Sequence, residues 1–146
     1  MAARAALALA ASALRSWVLD DPVAAVLSDV PFLSDIRRGA EIAAEGPYPE
    51  LVRWCATHRD LASTALDTLA SFDVAVLAGH ATSPVLFSAG LRDPVCPPST
   101  VFAAFNRYGG ADKEIKAWEW SEHDAGQGHH VVEQLSWLRD RVPPGL

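Results

Sequence analysis

The chain has 146 residues, half of them hydrophobic and 21% charged, with a formal net charge of -6. That length suffices for one domain, residues 1–146, with a sizeable core and no need of disulfide or metal staples. The acidic balance, without any block of Lys or Arg, argues against a nucleic-acid or anionic-membrane partner, and no apolar run reaches the ~18 to 20 residues of a membrane span. Cys55 and Cys96 are too few for a disulfide framework and fit no zinc spacing. Two reduced thiols suit a reducing compartment.

The opening stretch, MAARAALALAASALRSW, has a charged start and an apolar run, as a secretory leader does. The small-residue triplet Ala11-Ser12-Ala13 falls inside that run rather than after it, so the stretch reads as a helix over 6–16 instead. Asp20-Asp21-Pro22 breaks it. Residues 23–28 (VAAVLS) have strand length, and 29–33 (DVPFL) form a loop because Pro31 pushes Val30 out of the α region. Ser34 is placed to cap a helix to about Glu45, and Gly46-Pro47 ends it. A second helix over 48–58 carries Leu51, Trp54, Cys55 and His58 on one side. Asp60 is a plausible cap for a third, with Leu61, Ala65, Leu69 and Phe72 at helical spacing.

Residues 84–90 (PVLFSAG) form a continuous apolar run ending in Gly, as a strand buried on both faces does. A Pro-rich loop over 91–100 leads into a helix starting near Pro98, with Val101, Phe105 and Tyr108 as its buried stripe and Gly109-Gly110 as its stop. Residues 114–120 (EIKAWEW) read as a third strand and 121–128 (SEHDAGQG) as a loop. The last helix, 129–141, is expected to bury Val131, Leu135, Leu138 and Val142. Strands separated by helices imply parallel pairing with right-handed crossovers. The fold class is therefore α/β: three parallel strands, flanking helices, and a mostly helical insertion over 29–80.

Ligands of open parallel sheets bind beyond the carboxyl ends of the strands. Asp93 lies just past the second strand and His123 just past the third. If these strands are neighbours, Asp93 can accept a hydrogen bond from one imidazole nitrogen and leave the other free as a general base. The order Asp then His also fits the second and third members of an α/β-hydrolase triad.

The words DVPFL (29–33), THRD (57–60), LFSAGLRDPVCPPSTVFAAFN (86–106) and EHDAGQG (122–128) resemble the acetyl xylan esterase / cephalosporin C deacetylase family, a branch of the α/β-hydrolases. The similarity runs from about residue 6 to about residue 141. It implies a partial α/β-hydrolase fold with Asp93 as the triad acid, in the Gly-Leu-x-Asp-x-x-Cys-Pro-Pro-Ser-Thr pattern, and His123 as the triad base. It also implies acetylated xylo-oligosaccharides, other sugars or related acetyl esters as substrates, an acyl-enzyme, no metal or other cofactor, and a cytoplasmic homohexamer.

The resemblance places the family's nucleophile, in a Gly-x-Ser-Gln-Gly-Gly elbow, directly ahead of the 6–16 helix. This sequence contains no Gly-x-Ser-x-Gly. The expectation is a C-terminal portion of the hydrolase, inactive alone, with an open and aggregation-prone edge on the 23–28 strand. Two other readings remain open. Glu122, His123, Asp124, His129 and His130 crowd one stretch as metal ligands do, yet adjacent His129 and His130 point about 100° apart on a helix and lack the spacing of HExxH. The chain could also act as a non-catalytic partner of an intact relative. Trp17, Trp54, Trp118, Trp120 and Trp137 read as core or interface residues, His58 and His80 as surface or helix-end residues, and Cys96 as packing.

Overall fold

The structure, a computed structural model, describes residues 23–142. The 6–16 helix and Trp17 lie outside them. Three strands, β1 (Val26–Asp29), β2 (Val85–Gly90) and β3 (Lys113–Trp118), form a parallel sheet in the order β1-β2-β3. Between β1 and β2 lie α1 (Ile36–Ile42), α2 (Tyr48–Thr57), α3 (Ala62–Ala70), α4 (Val74–Leu77) and a short 3-10 turn, Ala78–His80. Helix α5 (Pro98–Arg107) joins β2 to β3, and α6 (Gln127–Arg139) follows β3. Among the described residues, β1 pairs only with β2, so its other edge is open.

The register sets two unlike faces. Val26, Val85, Phe87, Ala89 and Ile115 point to one side, where they join Val74, Ala78, Val101, Ala104 and Tyr108 in the hydrophobic core. Phe87 is fully buried and meets the rings of Phe105 and Tyr108 edge-on. Every residue of β2 is buried, which accounts for its unbroken apolar run.

The other face receives α6, and polar contacts hold it there. Lys116 pairs with Glu133 at 3.2 Å, and the Trp137 indole N–H donates to Glu114 at 2.9 Å. Arg141 reaches Asp112 and Glu114 and covers the Trp137 ring at 4.1 Å. His130 and Gln134 both bond Asp29. The sequence reading of this helix is therefore corrected. Its inward stripe is His130, Gln134 and Trp137, continued by Arg141 just past its end, whereas Val131 and Leu135 are 50% and 59% exposed. Both stripes have the helical period. The sheet beneath offers Asp29, Ser88, Glu114 and Lys116, so the stripe able to satisfy those groups turns inward.

Other boundaries move for equally local reasons. Asp29 ends β1 rather than opening a loop. Asp35, not Ser34, caps α1, while the Ser34 hydroxyl donates to the Pro31 carbonyl. Asp73 strengthens that cap from a distance, accepting from the amides of Asp35 and Ile36 as well as from Ala75. Helix α3 begins after Leu61 with no side-chain cap, so Asp60 does not serve as one, and Leu61 and Phe72 are exposed. In α2 the buried residue is Tyr48, while Trp54 stacks on His58 in the exposed layer. Strand β3 stops at Trp118, and Trp120 lies 76% exposed beyond it.

The inverted face of α6 gives a direct test by urea denaturation. Trp137→Ala should cost about 3–5 kcal/mol. Leu135→Ser should change stability by no more than about 0.5 kcal/mol. The opposite ranking would place the apolar stripe in the core.

Candidate active site

The Asp93 carboxylate is placed by a strand end and a tight loop. Past Gly90 the Asp93 amide bonds the Gly90 carbonyl, so the chain turns back on itself. Asp93 Oδ1 then accepts the amides of Val95 and Cys96 at 2.7 and 2.8 Å. The carboxylate side chain is 0% exposed, so these donors are what make its burial tolerable.

His123 Nδ1 bonds the remaining oxygen, Asp93 Oδ2, at 2.9 Å. A carboxylate only accepts, so this nitrogen carries a proton, and in the neutral ring Nε2 is left with a bare lone pair. The imidazole is 48% exposed, and Nε2 makes no hydrogen bond among the described residues. That is the arrangement a general base requires: one nitrogen fixed, the other presented.

Backbone contacts bring the two loops together. The strand ladder continues past its ends, with the Leu91 amide bonding the Trp118 carbonyl and the Arg92 amide bonding the Ser121 carbonyl at 2.9 and 3.0 Å. Gly90 makes the approach possible, because a Cβ there would collide with the carbonyl oxygens of Ser121 and Glu122. On the far side of His123, Ala125, Gly126 and Gln127 all have positive φ, at 45°, 91° and 47°. A Cβ on Gly126 would strike the Trp118 indole, so glycine is needed there for space as well as for conformation. Asp124 braces this turn by accepting from the Gln127 amide group at 2.7 Å.

A second carboxylate–imidazole pair stands at the neighbouring strand end. His130 Nε2 bonds Asp29 Oδ1 at 2.9 Å, but the His130 side chain is only 4% exposed and its buried Nδ1 has no partner among the described residues. Its free nitrogen cannot meet a substrate. Exposure thus separates the two pairs chemically. Sequence reasoning missed Asp29, His130 and Gly90 as site-building residues. The only available signal was the recurrence of an Asp at both strand ends.

Asp93, Cys96 and His123 each offer a ligand atom within 4.8 Å of the others. To close on a cation the trio would have to give up the Asp93–His123 bond and ionise Cys96. Burial, and then the charge of Asp93, pushes that thiol up from 9.0 to about 12. The same shift leaves Cys96 a poor nucleophile near neutrality. Glu122, Asp124 and His129 are exposed and lie outside this trio.

Comparison with known proteins follows the same outline. The family description acetyl xylan esterase (AXE1) matches residues 3–141. The acetyl esterase Axe7A of Xylanibacter ruminicola is 31% identical over 124 residues, which are 85% of this chain and 27% of that protein. The structure of an acetyl xylan esterase from Paenibacillus sp. R4 superposes with a TM-score of 0.82 at 30% identity, over 91% of this chain and 42% of that one. Acetyl xylan esterase 1 from Thermoanaerobacterium sp. JW/SL YS485 gives 0.68 at 32% identity, over 76% and 36%. The chain thus spans well under half the length of these relatives.

Two outcomes follow from the geometry. Gly90→Ala should part the two loops and lower the thermal midpoint, as observed by calorimetry, because the obstructing atoms are backbone. Cys96 has a raised pKa in the folded state, so its contribution to stability is complete below pH 9.0 and is lost as pH rises toward about 12. The thermal midpoint should therefore fall through that window, and fall less steeply in Cys96→Ala. A midpoint equally steep in the variant would contradict the burial of the thiol.

Proposed function

The chain belongs to the acetyl xylan esterase family, and from that premise we propose that it carries the acid and the base of a serine esterase acting on acetylated sugars. Its three parallel strands with flanking helices are part of an α/β-hydrolase fold. The observation that supports the assignment is the Asp93–His123 bond, with Nε2 left unbonded among the described residues.

In this reading Nε2 takes the proton of a serine hydroxyl as the oxygen attacks the acetyl carbonyl. Asp93 holds the tautomer and stabilises the imidazolium that forms. The imidazolium then protonates the departing sugar oxygen, leaving an acetyl-serine. Water, deprotonated by the same Nε2, releases acetate and restores the serine. Acetylated xylo-oligosaccharides, other acetylated sugars and cephalosporin C present the same ester group and belong to the one substrate class. The free thiols Cys55 and Cys96 support a cytoplasmic location.

The reading needs a serine hydroxyl at Nε2. The sequence has no Gly-x-Ser-x-Gly turn, and no described hydroxyl bonds that nitrogen. We therefore assign this chain the proton-handling half of the site, inactive by itself.

The test is a chimera in which this chain replaces its structural counterpart in the Paenibacillus enzyme, assayed on p-nitrophenyl acetate beside the chain alone. The chain alone should match buffer. The chimera should turn over, losing about 10⁴-fold in kcat on Asp93→Asn. His123→Ala should cost on the order of 10⁶-fold. A chimera indifferent to His123→Ala would refute the assignment, and turnover by the chain alone that His123→Ala abolishes would refute its inactivity.

A further inference from the structure

The Asp29 carboxylate is the junction of three elements. It closes β1 in register with Ser88 on β2, and its Oδ1 accepts the Ser88 hydroxyl at 3.0 Å. The same oxygen accepts His130 Nε2 at 2.9 Å, and Gln134 Nε2 donates to both oxygens at 3.0 and 2.9 Å. Ser88 lies on the strand that leads directly to Asp93. His130 lies in the first turns of α6, directly behind the loop that carries His123. One carboxylate is therefore bonded to the acid's strand and to the base's helix.

The other side-chain contacts at the N-terminal end of α6 are local: Asp124 accepts from Gly126 and Gln127, and the Trp118 ring lies against His129 and His130. The cap of α6 is Gly126, with no side-chain hydrogen bond. The preceding turn runs through three successive positive-φ residues, a conformation that persists only when its surroundings over-determine it. The apolar side chains of these turns, Val131 and Val132, face outward. His130 is buried with an Nδ1 that has no partner among the described residues. An imidazole so buried serves the bond at its other nitrogen.

We propose that Asp29, acting through His130 and Gln134, is the positioning group that sets the approach of His123 to Asp93. It touches no substrate. Its role rests on the esterase reading only for its purpose, since the bond it governs can be observed in this chain alone. With Asp29 in place the start of α6 is pinned over the end of β2, and the His123 loop can close on Asp93. Without it, α6 keeps the Lys116, Glu114 and Asp112 contacts further along the helix, but the end that carries the base is released.

The readout is the solvent exchange rate of the His123 Nδ1 proton, followed by saturation-transfer NMR on the full chain and assigned by its loss in His123→Ala. Asp29→Ala and His130→Ala should speed that exchange about tenfold, the factor carried by one lost hydrogen bond to a charged group. His130→Gln, which keeps a donor in reach of Asp29, should restore it to within about twofold of the parent, the spread expected of an independent site. Arg141→Ala, which loosens the opposite end of the same helix, should leave it unchanged. Exchange that stays at the parent rate in folded Asp29→Ala or His130→Ala overturns the proposal. So does exchange that rises as much in Arg141→Ala, because the effect would then be general loosening. Should Asp29→Ala fail to fold, His130→Ala against His130→Gln decides alone. An inactive chimera with these exchange results intact would refute the esterase reading and leave the positioning role standing.

Discussion

A carboxylate with no exposed surface persists as a charge only if donors surround it, and Asp93 meets that condition from two directions. The amides of Val95 and Cys96 hold one oxygen, and the imidazole of His123 holds the other. The Pro-rich loop must fold back to supply the amides, and the loop after β3 must come within reach to supply the imidazole. Gly90 permits that approach by the absence of a side chain. The imidazole is oriented as a consequence of satisfying the carboxylate.

The division of the sheet into an apolar and a polar face follows from the same economy of burial. One face carries Phe87, Val85 and Ile115 into the core and supplies the hydrophobic stabilisation. The other is covered by a helix attached through Asp29, Glu114, Lys116 and Asp112. The Arg141 hydrogen bond holds the Asp112 carboxyl below its usual range, so that link is lost as pH falls through the lowered pKa. Polar docking gives α6 a defined rotation and register that a uniform apolar contact would not, because each donor must meet its acceptor. That rotation decides which of two adjacent imidazoles, His129 or His130, is turned inward.

Much of this was legible in the sequence, and the failures share a cause. The β2–loop–α5 segment announced itself by an unbroken apolar run, a terminal glycine and a Pro-rich turn. Asp93 and His123 stood out as ionisable residues just past two strands. The helical face of α6 was misread because Val131 and Leu135 repeat with the same period as His130, Gln134 and Trp137. Local periodicity cannot choose between two stripes when the sheet beneath is polar. Asp29 was read as loop because Pro31 follows closely, although the chain bends only after it. The cap that Asp73 gives to α1 spans 37 residues, beyond the reach of any local signal.

The two carboxylate–imidazole pairs engage opposite ring nitrogens, Nδ1 of His123 and Nε2 of His130, and only the His123 ring is exposed. Long-range nitrogen–proton correlation spectra of the imidazole rings report which nitrogen is engaged directly, because they distinguish the protonated from the bare ring nitrogen. At a pH where both rings are neutral, the account predicts His123 with its proton on Nδ1 and His130 with its proton on Nε2. His123 protonated on Nε2 would mean that Asp93 does not hold it, and the account of the site would fail.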